Sequence, residues 1–136
     1  MKHENAIVMC SGGLDSVITS FYVKKILNYK KMIILFFDYN QRSLVQERNC
    51  AKKCATSLGA KFIEIKTPLG KISTSLINIK KKYKKISRRD LKDTKSESAK
   101  YYVPSRNLVF LSYATSLAES FFIKNKKRYD IFVGFK

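Results

Sequence analysis

Short apolar runs alternate with stretches of helical apolar spacing, and a Gly-Gly turn follows the first run; together these predict an α/β domain built on a doubly wound parallel sheet. Strands separated by helices cannot pair as hairpins, and right-handed crossovers then place helices on both faces of the sheet. A length of 136 residues suits one domain with a real core, spanning residues 1–136.

Ala6 to Cys10 is a continuous apolar run bounded by Gly12 and Gly13, as expected of a strand buried on both faces. From Leu14 a helix is predicted, with Leu14, Val17, Ile18, Phe21 and Tyr22 on its apolar face and Lys24, Lys25, Lys30 and Lys31 toward its far end. Met32 to Phe37 reads as the second strand. Leu44, Ala51, Cys54, Ala55 and Leu58 define a second helical face that Gly59 stops. Phe62 to Ile65 is the third strand. The stretch at about 67–100 carries 11 basic residues and reads as a mobile basic insertion with at most one short helix, either a clamp over an anionic ligand or a solvated charge run. Leu108, Leu111, Thr115, Ala118 and Phe122 then mark a long helix after Pro104, and Ile131 to Val133 the fourth strand. In such a sheet ligands bind beyond the carboxyl ends of the strands, which singles out Ser11 to Ser16, Asp38 to Arg42 and the residues from Gly134 onward.

Composition narrows the chemistry. A total of 28 Lys and Arg against 10 Asp and Glu gives a net charge of +18, a field that draws in polyanions such as nucleotides and RNA, although biased codon usage produces the same excess. No run is long and apolar enough to span a bilayer and no secretory leader is evident, so a cytoplasmic, soluble protein without membrane association is expected. The three cysteines, Cys10, Cys50 and Cys54, form no CxxC pair and disfavour a disulfide framework; Cys50 and Cys54 suit core packing on a helix. A single histidine, His3, argues against a His-rich zinc site and against a Ser-His-Asp or Cys-His centre.

Ser11-Gly12-Gly13-Leu14-Asp15-Ser16 joins a strand to a helix, so unpaired N–H groups and the positive end of the helix dipole meet in one turn. Such a turn cradles an anion, with the Ser11 and Ser16 hydroxyls as further donors; a β-branched residue at Gly13 is expected to damage both the turn and the approach of phosphate. The Walker lysine pattern is absent. Asp15 would repel a bare phosphate, an objection that Mg2+ removes by bridging the two, so the cradle implies a metal–nucleotide ligand. The plain alternative is a tight Gly-Gly turn with Asp15 favouring the first helical turn.

The hexapeptide resembles the pyrophosphate-binding loop of the PP-loop ATP pyrophosphatase superfamily. Phe37-Asp38-Tyr39-Asn40-Gln41-Arg42 is similar to the Asp-Tyr-Gly-Gln-Arg-His segment of the 7-cyano-7-deazaguanine (preQ0) synthase family. Tyr102-Val103-Pro104-Ser105-Arg106-Asn107 is similar to that family's Val-Pro-Ala-Arg-Asn segment. The motifs come in the family's order and the resemblance covers most of the chain outside the basic insertion.

The resemblance implies an adenine-nucleotide alpha-hydrolase-like, Rossmann-like fold. It implies an ATP-dependent carbon–nitrogen ligase in queuosine biosynthesis that converts 7-carboxy-7-deazaguanine and ammonia to preQ0 through adenylated intermediates, releasing AMP and pyrophosphate. Ser11, Gly12, Gly13, Leu14, Asp15 and Ser16, with Asp38, would then hold ATP, with Mg2+ at Asp15 through the nucleotide; Asp15, Arg42 and Arg106 would serve catalysis. Two positions depart from the pattern: Asn40 replaces a glycine, at a residue type that tolerates a left-handed backbone, and Ser43 replaces a histidine. The family also continues beyond the fourth strand to a cluster of zinc-binding cysteines, and no zinc ligands are identified here. Two other readings stay open: a shortened, non-catalytic nucleotide-binding module, and a PP-loop enzyme that modifies tRNA, whose basic insertion would contact RNA. A homodimer is also open, and direct RNA binding is not favoured.

Overall fold

The computed structural model describes residues 4–72 and 103–134. In chain order the elements are β1 (Asn5–Met9), α1 (Leu14–Lys25), β2 (Lys31–Asp38), α2 (Leu44–Leu58), β3 (Lys61–Lys66), the one-turn α3 (Leu69–Ile72), α4 (Arg106–Asn125) and β4 (Asp130–Val133). Among the described residues the strands form one sheet in the order β3-β2-β1-β4, and every pairing is parallel. This is the doubly wound α/β architecture expected from the alternation of runs. Of the basic insertion, only α3 and the residues leading to it are described; the part from residue 73 to 102 lies outside the described residues.

Central position explains the composition of the strands. β1 is buried along its whole length and β2 at all but its first residue, because each has a strand on either side and a helical layer on either face. Beneath one face, Ala6, Val8, Ile34 and Phe36 pack with Val23 of α1 and with Ala51, Cys54, Ala55 and Leu58 of α2. On the other face Ile7, Met9, Ile33, Leu35 and Phe37 meet Ala114, Phe110, Leu117 and Phe121 of α4. Gly59 ends α2 in the left-handed region at φ 60°, its N–H shared between the Ala55 and Thr56 carbonyls, as the sequence predicted. Among the described residues no helix is long and apolar enough to cross a membrane.

Two helix faces differ from expectation. α1 buries Ser16, Ser20 and Val23, while Leu14, Ile18, Phe21 and Tyr22 are exposed and Val17 is half-buried. α4 turns Val109, Phe110, Ala114, Leu117, Ala118 and Phe121 toward the sheet, leaving Leu108, Leu111 and Phe122 exposed. Small residues let a helix approach the sheet closely. The Ser20 hydroxyl, which donates to the Ser16 carbonyl at 2.7 Å, satisfies itself within the helix and is buried at no hydrogen-bonding cost.

Candidate functional site

The Cys10 N–H still belongs to the sheet, donating to the Leu35 carbonyl at 2.9 Å, and the chain turns immediately after it. Gly12 carries the turn at φ 79°, and a Cβ there would lie 2.6 Å from the Glu47 carbonyl oxygen and 2.8 Å from the Cys50 Cβ. Only glycine lets this loop lie against α2. Gly13, by contrast, is the N-cap of α1 in an ordinary extended conformation, and a Cβ there would touch only the Ser11 hydroxyl at 3.4 Å. The steric demand expected at Gly13 therefore falls one residue earlier.

Among the described residues no side chain caps α1. The first-turn N–H groups, which have no partner within a helix, open on solvent at the positive end of the dipole. Ser16 is buried and its hydroxyl donates to the Gly13 carbonyl at 2.9 Å, with Ser11 Oγ 3.4 Å away and Cys10 Sγ at 3.6 Å. Its proton thus braces the loop from inside rather than projecting outward, whereas the exposed Ser11 hydroxyl remains at the surface of the turn.

The loop forms one wall of a cleft of about 330 Å3. The end of β2 and the turn after it supply Phe37, Tyr39 and Gln41, α2 supplies Glu47, α4 supplies Arg106, Asn107 and Phe110, and Gly134 closes the rim beyond β4. Gly134 has to be small, since a Cβ there would meet Thr19 Oγ1 at 2.6 Å and the Asp15 carbonyl at 2.9 Å. Ser105, in the left-handed region at φ 55°, turns the chain from the buried Val103 into α4 and so delivers Arg106 to the cleft. Arg106 Nη1 donates to Tyr39 Oη at 3.0 Å, and its guanidinium lies 5.6 Å from the centre of the Tyr39 ring. Burial raises the Tyr39 phenol pKa above its ordinary value, an effect that the neighbouring Arg106 charge partly offsets. Phe37 and Phe110 stack in parallel with their centres 4.2 Å apart, giving the cleft a flat apolar wall. Gln41 ties the turn together: its Nε2 donates to the Phe37 carbonyl and to Glu47, at 3.0 and 2.9 Å, and its Oε1 accepts the Tyr39 N–H. Asn40 does adopt the left-handed backbone, at φ 63°.

Of the residues the sequence singled out, Ser11, Gly13, Leu14, Asp15, Ser16 and Arg106 line this one cleft, and Gly12 shapes the loop from behind. Asp38 and Arg42 are not among the lining residues. Strand alternation is the reason for Asp38: Phe37 and Tyr39 face the cleft side, so Asp38 points to the α2 side. There its carboxylate accepts the Asn40 N–H at 2.9 Å and pairs at 3.4 Å with Arg48, which also grips Glu64 at 2.6 Å. The ion pair with Glu64 raises the Arg48 pKa further. Arg42 is exposed in the turn after β2. Tyr39, Glu47 and the Phe37–Phe110 stack are site features that residue-type reasoning passed over. Strand alternation across Phe37-Asp38-Tyr39 was the available signal for the aromatic wall; nothing in the sequence pairs Glu47 with Gln41.

Among the described residues no three His, Cys, Asp or Glu side chains converge to hold a metal ion. Asp15 is a single exposed carboxylate beside the uncapped helix end, which fits a Mg2+ ion that draws its other ligands from phosphate and water. Cys10 and Cys54 are buried together, and burial, helped by Cys10, pushes the Cys54 thiol up to about 11; Cys50 is exposed. Core packing thus describes Cys54 but not Cys50.

The chain is similar to proteins named 7-cyano-7-deazaguanine synthase. Identity is 37% with that of Leptospira biflexa over 87% of this chain and 50% of the relative, and 37% with that of Syntrophus aciditrophicus over 96% and 53%. It is 42% with that of Methanosphaera stadtmanae over 85% and 51%. The chain spans about half the length of these curated relatives. The model of the queuosine biosynthesis protein QueC matches residues 5–136, from the start of β1 through the loop, the Tyr39 turn and α4 to the last residue, and on that match the chain belongs to the QueC family.

Proposed function

We propose that this chain binds Mg·ATP at the Ser11–Ser16 loop and takes part in the ATP-dependent conversion of 7-carboxy-7-deazaguanine and ammonia to preQ0. The observation that carries the reading is the uncapped first turn of α1 opening on a cleft whose far wall presents Arg106. A carboxylate is a poor electrophile, and transfer of AMP to one of its oxygens, with pyrophosphate leaving, supplies a good leaving group. Ammonia then displaces AMP to give the amide, and a second adenylation on the amide oxygen lets the nitrile form as AMP departs. In this scheme the loop N–H groups and Ser11 hold the departing pyrophosphate, and Arg106, fixed by Tyr39, offsets negative charge at the substrate end of the cleft. Mg2+ at Asp15, when bound, supplies charge neutralisation between carboxylate and phosphate. Because the chain spans about half of its relatives, a second reading has specific support: a nucleotide-binding module that needs further polypeptide for turnover.

Incubation with Mg·ATP, 7-carboxy-7-deazaguanine and ammonia, followed by chromatography for AMP and the nitrile base, separates the two. Formation of both products supports the synthase; calorimetric binding of Mg·ATP without either product supports the module. Absence of any nucleotide binding overturns both.

A further inference from the structure

α3 is a single turn, yet it is wedged into the supports of the cleft. Thr67, the residue after β3, donates its N–H to the Asp38 carbonyl at 2.7 Å and so keeps the chain beside the end of β2. Leu69 is buried in one cluster with Phe37, Tyr39 and Val103, residues at the end of β2 and just ahead of α4. Gly70 meets the Tyr39 backbone directly: a Cβ there would stand 2.3 Å from the Tyr39 carbonyl oxygen and 3.0 Å from the Asn40 Cβ. That contact, rather than an unusual backbone, is what demands glycine, since Gly70 is helical without a positive φ and alanine is the better helix former. The other side of the same turn is held by Gln41, whose Oε1 accepts the Tyr39 N–H at 3.0 Å. The Tyr39 main chain is thus gripped between the Gln41 amide and α3, and its phenol is the partner of Arg106 Nη1 at 3.0 Å.

We propose that Gly70 is a positioning residue: by setting the Tyr39 main chain it sets where Arg106 stands in the cleft, and so governs affinity for the carboxylate substrate without touching it. The step to the substrate rests on the function proposed above; the coupling of Gly70 to Arg106 does not. Distances carry the coupling. A methyl group at Gly70 has to move by about 1 Å to reach ordinary contact with the Tyr39 carbonyl oxygen. The buried Leu69 side chain holds α3 in place, so the Tyr39 turn takes up part of that shift. A 3.0 Å hydrogen bond lengthened by about 1 Å no longer counts as one, and Arg106 then loses both its Oη acceptor and its seat 5.6 Å from the ring centre. Misplacement of about 1 Å in a positioning group costs on the order of a hundredfold. The atoms nearest the added Cβ all belong to Tyr39 and Asn40, none to the Ser11–Ser16 loop, so nucleotide binding stays apart from this effect.

The test is Gly70→Ala in the whole chain, with two readouts. In protein labelled with 13C at tyrosine Cζ, the Tyr39 resonance, assigned by its loss in Tyr39→Phe, should move in Gly70→Ala in the direction that Arg106→Gln moves it. By calorimetry, Gly70→Ala should weaken 7-carboxy-7-deazaguanine binding at least about tenfold in the parent and less than about twofold when Tyr39→Phe is already present, while Mg·ATP affinity holds within about twofold. A Tyr39 resonance that stays in place overturns the proposal, as do equal losses of substrate affinity with and without Tyr39→Phe, the result expected of a packing defect alone. Should the parent bind no 7-carboxy-7-deazaguanine, the functional reading falls by itself and the Tyr39 resonance decides the coupling. Circular dichroism checks the fold of each variant. If Gly70→Ala does not fold, Leu69→Val, which loosens α3 where the methyl group crowds it, replaces it and should likewise move the Tyr39 resonance; an unmoved resonance overturns the proposal in that variant too.

Discussion

At the scale of single residues, two adjacent glycines of the loop do different work. The Gly12 backbone is left-handed and its α-carbon faces the Glu47 carbonyl, which is fixed in α2 and cannot give way. Gly12→Ala is therefore expected to cost roughly 1–3 kcal/mol of stability and to abolish nucleotide binding, because the loop must leave α2. Gly13→Ala should leave stability within about 0.5 kcal/mol of the parent, since an extended N-cap with open space accepts a methyl group. Urea denaturation of the two variants side by side checks the contrast, and equal losses would place the steric demand elsewhere. Asp15→Ala separates binding from folding. The exposed carboxylate favours the first turn of α1 by about 0.3–1 kcal/mol, so the melting temperature should drop only slightly. Affinity for Mg·ATP should fall at least about tenfold, or about 1.4 kcal/mol, by calorimetry. An unchanged affinity removes Asp15 from the metal–phosphate site.

At the scale of elements, β4 is a short strand at the edge of the described sheet, held to its neighbours by a few polar ties. Asn5 Nδ2 donates to the Arg128 carbonyl at 2.9 Å, and the Tyr29 hydroxyl from the α1–β2 loop donates to the Asp130 carboxylate, with the Tyr29 ring edge-on to Phe132 at 5.3 Å. Burial first, and then this bond to Asp130, push the Tyr29 phenol up to about 12 from an ordinary value of 10. The fold binds that proton more tightly than the unfolded chain does. The tie therefore contributes fully below about pH 10 and is lost as pH rises through about 12. Tyr29→Phe should keep the ring contact, lose some stability at neutral pH, and flatten the stability profile between pH 10 and 12; a parent protein with a flat profile there would contradict the assignment. The elements themselves were legible in the sequence, because strand hydrophobicity, the Gly59 stop and the Pro104 start are local signals. The burial faces of α1 and α4 were not. Helical spacing reports which residues share a face, yet when a helix carries two apolar faces it cannot say which one meets the sheet. Ser16, Ser20 and Ala114 won that contest because small side chains permit close approach. The lining of the candidate cleft was legible where backbone chemistry makes it, in the Ser11–Ser16 turn and at Arg106, and less so where strand phase decides, as at Asp38, or where a long-range partner does, as for Glu47.

At the scale of the whole molecule, the charge of +18 and the single loop make separable demands on an anionic ligand. Attraction of RNA to scattered lysines and arginines releases condensed counterions, so an association resting on about 6–10 phosphate contacts weakens by about 10^3–10^5 between about 50 and 200 mM salt. On the proposed reading, Mg·ATP at the loop would engage fixed N–H groups and, with the cation bound, carry far less net charge than a tRNA, so its affinity should change less than about tenfold over the same range. Titrating a tRNA and Mg·ATP in parallel at both salt concentrations distinguishes a general electrostatic field from a built site. The expected outcome is a nucleotide affinity that persists and a tRNA affinity that collapses. That combination makes the basic surface a feature of composition, and leaves the loop and Arg106 as the specific recognition elements. A tRNA affinity that holds at the higher salt would instead require stacking or base contacts beyond charge and would favour a tRNA-modifying role. The two ligands can be compared on one sample because the loop sits beyond the carboxyl ends of the strands, whereas Lys124, Lys126, Lys127 and Arg128 gather where α4 returns to the opposite end of β4. Replacing those four with glutamine should therefore lower tRNA affinity at the lower salt while leaving Mg·ATP binding as it was.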